Sequence, residues 1–340
     1  MTARAYLDWN ATAPLRGEAR SAMIAAFDVL GNPSSVHAEG RAARMLMERA
    51  REDIAQVVGA KPAEVVFTSG ATEAAGVLAG FDAVDVAADA HDCLLAHART
   101  GTSLPVRALG LANSETGVIN HFAPEPNHLA LLDIVQAVGR VPFAFGWSGA
   151  DFAILSAHKL GGPKGVGALI VKDGVEIGSL RAGGGQEKGR RSGTENIAAI
   201  AGFAAAAKAA GRDLETGIWE RVRELRDEME ALILSSAEDT LVAGGGVDRL
   251  PNTTCLVCPG WKGETQVMQM DLAGYAVSAG SACSSGKVRA SRVLTAMGYD
   301  AVAAGSAIRV SIGSATSRDE ALGFAESWLM HHRKFKARAA

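Results

Sequence analysis

One lysine, Lys159, stands in a setting that suits chemistry. It belongs to the peptide Ser156-Ala-His158-Lys159-Leu-Gly-Gly-Pro-Lys-Gly, directly after the apolar run Phe152 to Leu155. Surface lysines usually lie on a polar helix face and keep the ammonium in water, whereas a glycine-rich turn lets backbone approach a ligand closely. This setting favours a lysine that forms a Schiff base, and a solvated loop lysine is the alternative reading.

A strand-to-helix turn earlier in the chain could bind an anion. The β-rich run Glu64 to Thr68 meets Ser69-Gly70, and an alanine-rich helical segment then starts at Ala71. Such a turn points free backbone N–H groups and the positive end of a helix at an anion. We expect a phosphate there, with the Thr72 hydroxyl as a further donor, and a plain N-capped helix is the alternative.

A carboxylate, Asp133, ends a run that reads as a fully buried strand, and Gln136 follows it. Ionised carboxylates are rarely buried without a partner. A protonated pyridine nitrogen would be such a partner, and the aspartate would keep that ring cationic so that it can accept electrons. A helix N-cap is the alternative for Asp133. His91 and Asn113 become candidate site residues only in combination with Asp133 and Lys159. Taken alone, His91 could be a hydrogen-bonded structural residue and Asn113 a turn residue.

These stretches together resemble the cysteine desulfurases, which are fold-type-I pyridoxal-phosphate enzymes of the class V aminotransferase group. The resemblance runs nearly end to end. Its further matching stretches are Tyr6 to Pro14, Gly31 to His37, Asn113 to Gly117, Gly183 to Glu187, Arg191 to Asn196 and Ser278 to Ser285. One departure is the run from His91 to Asn113, which is markedly shorter than in family members, so at least one strand-and-helix unit is expected to be missing.

The resemblance implies roles for the residues that bind pyridoxal 5'-phosphate. Lys159 would form the Schiff base with it, and His91 would stack on its ring and assist proton transfers. Asp133 would pair with the ring nitrogen, and Gln136 would donate to the phenolic oxygen. The other residues implied for the cofactor site are Ala71, Thr72, Asn113, Ser156, His158 and, from a second subunit, Thr194.

The resemblance also implies how substrate and sulfur are handled. Asn113 and Arg309 would grip the substrate carboxylate, which suits the planar fork of an arginine. Cys283 would be the sulfur-accepting nucleophile. Its neighbours are small, polar and typical of a loop, and Lys287 and Arg289 could favour the thiolate. A buried, inert cysteine is the alternative.

The implied reaction converts L-cysteine to L-alanine and leaves a persulfide on Cys283. That sulfur would pass to an acceptor such as an iron–sulfur scaffold protein or a tRNA-thiolation relay, and the enzyme would be a homodimer. Other activities remain open. They are selenocysteine lyase, cysteine sulfinate lyase, a small-substrate transaminase, and a trimmed, non-catalytic paralogue that regulates another desulfurase.

The elements that must position the candidate site residues predict a layered α/β fold. Apolar strands alternate with helices from Glu64 to about Lys172, which predicts a mostly parallel sheet covered on both faces. The carboxyl ends of its strands would then bring together the segments that carry the cofactor residues. We predict a large cofactor-binding domain at residues 15–212 and a smaller α+β domain, at 1–14 and 213–340, that carries Cys283 and Arg309.

Composition sets limits on the class of protein. The chain has 340 residues, is 48% hydrophobic and carries a net charge of −3, which suits two layered units and shows no nucleic-acid footprint. It has neither a run long enough for a membrane span nor a signal-peptide pattern, so we expect a cytoplasmic protein. We also expect no metal site. The spacing Cys255-Leu-Val-Cys258 would also suit zinc or redox chemistry, which is a minor alternative here.

Overall fold

The protein, described by a computed structural model over residues 4–280 and 290–339, divides into two compact units. The large unit comprises Thr12–Ala112 and Asn120–Thr216, and the small unit comprises Met1–Ala11, Asn113–Ile119 and Gly217–Ala340. The segment Asn113–Ile119 belongs to the small unit because its backbone is bonded there. The Ile119 amide donates to the carbonyl of Asp248 at 2.9 Å, and the Leu250 amide donates to Gly117 at 2.7 Å. The predicted boundaries had left this segment inside the large domain.

A mixed six-stranded sheet forms the centre of the large unit. Its strands are β2 (Val65–Thr68), β3 (Val84–Val86), β4 (Val106–Gly110), β5 (Ala130–Asp133), β6 (Phe152–Ser156) and β7 (Gly167–Val171). The first strand of the chain, β1 (Ala5–Tyr6), lies in the small unit. Across the sheet the order is β2-β7-β6-β5-β4-β3, and β7 runs in the direction opposite to that of the other five strands. The predicted mostly parallel sheet is confirmed.

Both faces of this sheet are covered, as alternation along its strands requires. On β2, for example, Val65 and Phe67 join one core cluster while Val66 joins the other. The helices of the large unit are α1 (Gly17–Phe27), α2 (Ala38–Val58), α3 (Ala71–Ala74), α4 (Asp92–Leu95), α5 (Phe145–Ser148) and α6 (Ile197–Glu215). Helix α2 and the alanine-rich α6 pack on the Val65 face.

The carboxyl ends of β2, β3, β5 and β6 lie at one edge of the sheet, because these strands run in the same direction. The anion-binding turn follows β2, and His91 follows β3. Asp133 ends β5, and Lys159 lies three residues beyond the end of β6. The fold therefore collects at one edge the predicted anion-binding turn, His91, Asp133 and Lys159.

The shortened connection after β3 leaves the sheet intact. The segment between β3 and β4 contains one helix, the four-residue α4, and the two strands pair directly in parallel. The Arg99 guanidinium closes this connection, since its Nε donates to the carbonyl of Phe81 at 2.8 Å and a terminal nitrogen donates to Leu78 at 2.5 Å. The segment that was expected to lack a strand-and-helix unit therefore joins two adjacent strands of the sheet.

The small unit is built on a second sheet. In its described part, the antiparallel order is β11 (Ser278–Ala279), β12 (Ala307–Ser311), β9 (Thr253–Val257) and β8 (Leu241–Val242), and β1 pairs in parallel with β10 (Tyr275–Ala276). Its helices are α7 (Ile218–Leu234), α8 (Gly263–Leu272), α9 (Arg292–Ala296), α10 (Ala301–Ala304) and α11 (Arg318–Ala339). No helix within the described residues combines the length and apolarity needed to cross a bilayer.

A buried ion pair between Arg51 of α2 and Glu187 holds the loop after β7 against the rest of the large unit. Two guanidinium nitrogens of Arg51 contact the Glu187 carboxylate at 2.7 and 2.8 Å, and the Phe67 amide donates to the same carboxylate at 2.9 Å. Glu187 adopts a left-handed backbone with φ of 51°, which is unfavourable for a residue with a side chain. The ion pair therefore stabilises a strained segment that leads to Thr194.

We expect Arg51→Met to destabilise the protein by about 3–5 kcal/mol, because it leaves the Glu187 carboxylate buried without its counter-ion. Urea unfolding of the cofactor-free protein measures this. The matched control is Lys61→Met, since Lys61 forms an exposed pair with Asp173 and its loss should leave the unfolding midpoint unchanged. Equal midpoints for Arg51→Met and the wild type would contradict the expectation.

Candidate active site

The turn that carries Lys159 is fixed by its backbone. Strand β6 ends at the buried Ser156, and the single helical turn Ala157–Lys159 follows. The Gly162 amide donates to the carbonyl of Ala157 at 2.9 Å, which closes the turn, and Arg140 donates to the carbonyl of Lys159 at 3.2 Å. Lys159 thus leaves a rigid backbone at the end of a buried strand, as the sequence predicted.

Asp133 supplies the electrostatic centre of the large unit's site. Burial raises the pKa of its carboxyl above the usual range, and the Val135 amide, His91 and Lys159 act in the opposite direction. The Val135 amide donates to Oδ1 at 2.9 Å and orients the carboxylate. His91 and Lys159 therefore lie close enough to Asp133 for their charges to act on it, so the three candidate residues share one site.

His91 is exposed and caps helix α4. Its Nδ1 accepts a hydrogen bond from the Cys93 amide at 3.1 Å. A ring nitrogen that accepts carries no proton, so the proton of the neutral ring lies on Nε2. The capping bond therefore fixes both the orientation and the tautomer of this histidine.

Gln136 is oriented by an arginine that the sequence analysis missed. Arg140 is buried, and one of its terminal nitrogens donates both to the side-chain oxygen of Gln136 and, at 3.1 Å, to its backbone carbonyl. This bond turns the amide oxygen of Gln136 toward Arg140 and its amide nitrogen to the opposite side. Since Arg140 also contacts the carbonyl of Lys159, one guanidinium positions two candidate site residues.

The predicted anion-binding turn lies beside Ser156. Gly70 has φ of 157°, and a Cβ added there would stand 3.6 Å from the Ser156 hydroxyl oxygen. Ala71 and Thr72 open helix α3 directly after this glycine. The hydroxyl of Ser156 is thus brought next to the backbone amides of the turn, which is a donor set suited to a phosphate.

His158 is uncharged in this site. Burial, followed by the charges of Lys159 and Lys164, lowers the pKa of His158 to about 4. Its Nδ1 lies 3.2 Å from the Thr12 hydroxyl. A neutral imidazole can offer a phosphate one N–H donor without adding a charge.

Glu73 links the anion-binding turn to the loop that carries Thr194. Arg191 donates to the Glu73 carboxylate at 3.0 Å, and the Ser69 amide donates to it at 2.5 Å. Although burial acts to raise it, these bonds lower the pKa of Glu73 to about 2, so the carboxylate stays charged. Thr194 itself is exposed. Glu73 lies in a predicted motif, but its partner is distant in sequence and was not predicted.

The substrate candidates Asn113 and Arg309 both belong to the small unit. The Asn113 side-chain oxygen accepts from the amides of Glu115 and Thr116 at 2.9 and 3.0 Å, which holds the turn. Arg309 on β12 donates to the carbonyl of Ser114 at 3.1 Å. The structure therefore brings together, within one unit, the two residues predicted to bind the substrate carboxylate.

Cys283, with Lys287 and Arg289, lies outside the described residues. The other cysteines are poor nucleophiles. Burial, with a smaller contribution from Asp133, raises the pKa of Cys93 to about 12, and burial raises that of Cys258 to about 11. Cys255 is fully buried, and burial likewise raises its thiol pKa to about 12.

The Cys255–Cys258 spacing does not form a two-cysteine metal site among the described residues. Cys258 instead lies near Asp239 and His332, with candidate ligand atoms within 4.8 Å of one another. The Asp239 carboxylate is already bonded to His332 and to the Lys336 ammonium, each at 2.9 Å. A lysine on the same carboxylate competes with a cation, so we assign this group as a hydrogen-bonded cluster.

The large unit as a whole suits a ligand with an anionic group at one end and a cationic ring nitrogen at the other. The turn at Gly70 with Ser156 meets the first requirement. The carboxylate of Asp133, whose burial favours an added positive partner, meets the second. Along the sheet edge, Lys159 after β6 lies between these two functions, and His91 after β3 lies on the far side of Asp133.

Comparison with known proteins places the chain. The family described as Aminotransferase class-V matches residues 5–95 and 102–323, and the interruption falls inside the short connection after His91. A cysteine desulfurase of Cereibacter sphaeroides is 38% identical over 362 residues, covering 93% of this chain and 92% of that protein. Cysteine desulfurase IscS of Dictyoglomus turgidum is 34% identical over 364 residues, covering 94% and 92%.

Solved structures agree. The X-ray structure of a NifS-like protein from Rickettsia africae ESF-5 superposes with a TM-score of 0.87 at 28% identity, covering 97% of this chain and 99% of that one. The predicted family and fold are confirmed. With its sheet, its lysine turn and relatives named cysteine desulfurases over nearly their full lengths, this chain belongs to the class-V aminotransferase family.

Proposed function

We propose that this protein is a pyridoxal-phosphate-dependent cysteine desulfurase that converts L-cysteine to L-alanine and retains the sulfur on Cys283. The observation that carries the proposal is the position of Lys159, Asp133 and His91 at one edge of the sheet, at or just after the carboxyl ends of β6, β5 and β3. Lys159 and His91 also act to lower the pKa of the half-buried Asp133 carboxyl. A lysine, a ring-facing histidine and a carboxylate are the groups required to hold and use a cationic pyridine.

Pyridoxal phosphate would be held along the sheet edge. Its phosphate would accept hydrogen bonds from the turn at Ala71 and Thr72 and from Ser156 and His158. Its ring nitrogen would meet Asp133, and its phenolic oxygen would meet the amide nitrogen of Gln136, which Arg140 orients. When bound, the cofactor supplies an electron sink for a carbanion at the substrate Cα.

The chain's own groups then move protons. Lys159 would remove the Cα proton of the substrate through its Nζ, and the closed turn fixes the backbone from which this side chain extends. His91 carries its proton on Nε2 and assists the transfers. Asn113 and Arg309 hold the substrate carboxylate, which fixes the orientation of the Cα–H bond.

Sulfur transfer belongs to Cys283. Its thiolate attacks the substrate sulfur, so that a sulfur–sulfur bond forms while the Cβ–sulfur bond breaks. The bonding electrons stay with the organic fragment, which takes up a proton and leaves as alanine. The other three thiols have raised pKa values, which supports this assignment. The persulfide would then pass to a sulfur-acceptor protein, such as an iron–sulfur scaffold or a tRNA-thiolation relay.

Two copies of the chain would form the active enzyme. Thr194 is exposed on a loop that Glu73 and Arg191 fix in place, so it is presented to another molecule. Large apolar side chains on and near α1 and α2 are also exposed, which suits a protein interface. They are Ile24, Phe27, Leu30, Val36 and Met45.

Replacing Lys159 with alanine should abolish covalent attachment of the cofactor and all turnover, because Lys159 alone follows β6 at the closed turn. Borohydride reduction followed by peptide mapping tests the attachment. Lys164→Ala is the matched control from the same glycine-rich stretch, and it should keep the label on Lys159. A label on any other lysine would contradict the assignment of Lys159 as the lysine that binds the cofactor covalently.

Replacing Cys283 with alanine should leave cofactor binding unchanged and eliminate persulfide formation, since the cofactor residues all lie elsewhere in the chain. Mass spectrometry of the wild type after brief exposure to L-cysteine should show about 32 Da added to the Cys283 peptide, the mass of one sulfur on the thiolate. Cys93→Ala, Cys255→Ala and Cys258→Ala serve as controls that keep this signal. Extra sulfur on one of those three cysteines would refute the role of Cys283.

Mixing two defective variants should restore cofactor affinity if Thr194 acts in the second subunit. Thr194→Ala should bind the cofactor weakly in its own dimer. In a mixed dimer with Lys159→Ala, one site combines an intact Lys159 with an intact Thr194 from the partner. Fluorescence titration should therefore recover wild-type affinity in half of the sites of mixed dimers, whereas unchanged weak binding would place Thr194 in its own subunit's site.

A further inference from the structure

A second buried ion pair lies at the candidate substrate arginine. In the small unit, the Asp8 carboxylate accepts a hydrogen bond from a terminal nitrogen of Arg309 at 2.7 Å. Both side chains are largely buried, with exposed fractions of 16% and 10%. Coulomb attraction between buried charges is screened little by water, so the guanidinium is held firmly in one orientation.

Asp8 and Arg309 are fixed to the same strand. The Trp9 amide donates to the carbonyl of Ser311 at 3.1 Å, and the Ser311 amide donates to Leu7 at 2.8 Å. Ser311 follows Arg309 by two positions on β12, and residues two apart point to the same face of a sheet. The backbone that carries the carboxylate is therefore tied directly to the strand that carries the guanidinium.

Within the part of the chain that the structure describes, the guanidinium keeps donors for a second carboxylate. An arginine has five N–H donors, and Asp8 and the carbonyl of Ser114 each take one. Its Nε is buried and, among the described residues, has no hydrogen-bond partner. A buried N–H group without a partner is unfavourable, so this arginine is arranged to receive a further acceptor.

Asp8 also contacts the strand that leads toward the nucleophile. Its second oxygen accepts from the Ser278 hydroxyl at 2.8 Å, and Ser278 lies opposite Arg309 in the β11–β12 register. Strand β11 ends at Ala279, four positions before Cys283 in the sequence. One carboxylate is thus hydrogen-bonded to Arg309 and to the strand that precedes Cys283.

We propose that Asp8 is the positioning residue for substrate recognition: it orients Arg309 so that the remaining donors of the guanidinium face the carboxylate of the amino-acid substrate. This inference rests on the proposed function of Arg309. An arginine that is held in advance loses less side-chain entropy when substrate binds. Asp8 therefore contributes to the discrimination between an amino acid and an amine that lacks the carboxylate.

The test compares L-cysteine with cysteamine, which has the same amine and thiol but no carboxylate. Binding to the holoenzyme is measured in the Cys283→Ala background, from the change in cofactor absorption with ligand concentration. We expect Asp8→Ala to raise the half-saturating concentration of L-cysteine by about threefold to tenfold, the cost of ordering one long side chain. The value for cysteamine should stay at that of the parent.

Three further variants make the result decisive. Asp8→Asn keeps an oxygen opposite the guanidinium and should show a smaller loss in the same direction, so it replaces Asp8→Ala if that variant does not fold. Asp271→Ala removes an exposed aspartate paired with Arg4 in the same unit and should leave both values unchanged. Arg309→Ala should abolish the preference for L-cysteine.

The outcomes distinguish the substrate-binding role of Arg309 from the positioning role of Asp8. If Arg309→Ala keeps the preference for L-cysteine, the assignment of Arg309 in the proposed function fails. If Arg309→Ala loses that preference while Asp8→Ala and Asp8→Asn keep it, or weaken both ligands equally, the positioning role of Asp8 is wrong. A loss specific to L-cysteine in the Asp8 variants supports it.

Discussion

The carboxylate of Asp133 is the interaction on which the site of the large unit depends. Water is displaced around it, which raises its pKa and makes a positive partner favourable. The end of β5 and the Val135 amide fix its position, and His91 and Lys159 lie near enough for their charges to act on it. A positive group that binds beside this carboxylate would therefore be stabilised, which is the basis of the role proposed for Asp133.

Arginines hold the surrounding elements in place through buried or half-buried bonds. Arg140 connects Gln136 with the backbone of Lys159, and Arg191 binds Glu73 beside the anion-binding turn. In the small unit, Arg309 is paired with Asp8. Because a guanidinium makes several directed hydrogen bonds at once, each of these residues sets the orientation of a neighbour. Rigid placement of reacting groups is the main contribution that a protein makes to cofactor chemistry.

Much of the site could be predicted from local sequence. Lys159, the turn at Gly70 and the strand-ending Asp133 stand in short motifs whose chemistry follows from their immediate neighbours. Most of the positioning pairs could not be predicted, because their partners are remote, although Arg140 lies only four positions from Gln136. Arg51 lies 136 positions from Glu187, and Arg309 lies 301 positions from Asp8. Only folding brings such pairs together, and a lone arginine in a sequence carries no sign of its partner.

The sequence by itself determined the family and the layered α/β class, and it predicted the residues of the candidate site, since alternating apolar strands and compact motifs are properties of neighbouring residues. The tertiary structure alone decided which unit each residue joins. Asn113 lies in the small unit with Arg309 because the backbone around Gly117 is hydrogen-bonded to the segment near Leu250. It also decided the pKa shifts of Glu73, Asp133 and His158, because all three depend on burial, and those of Glu73 and Asp133 depend also on charges that are distant along the chain.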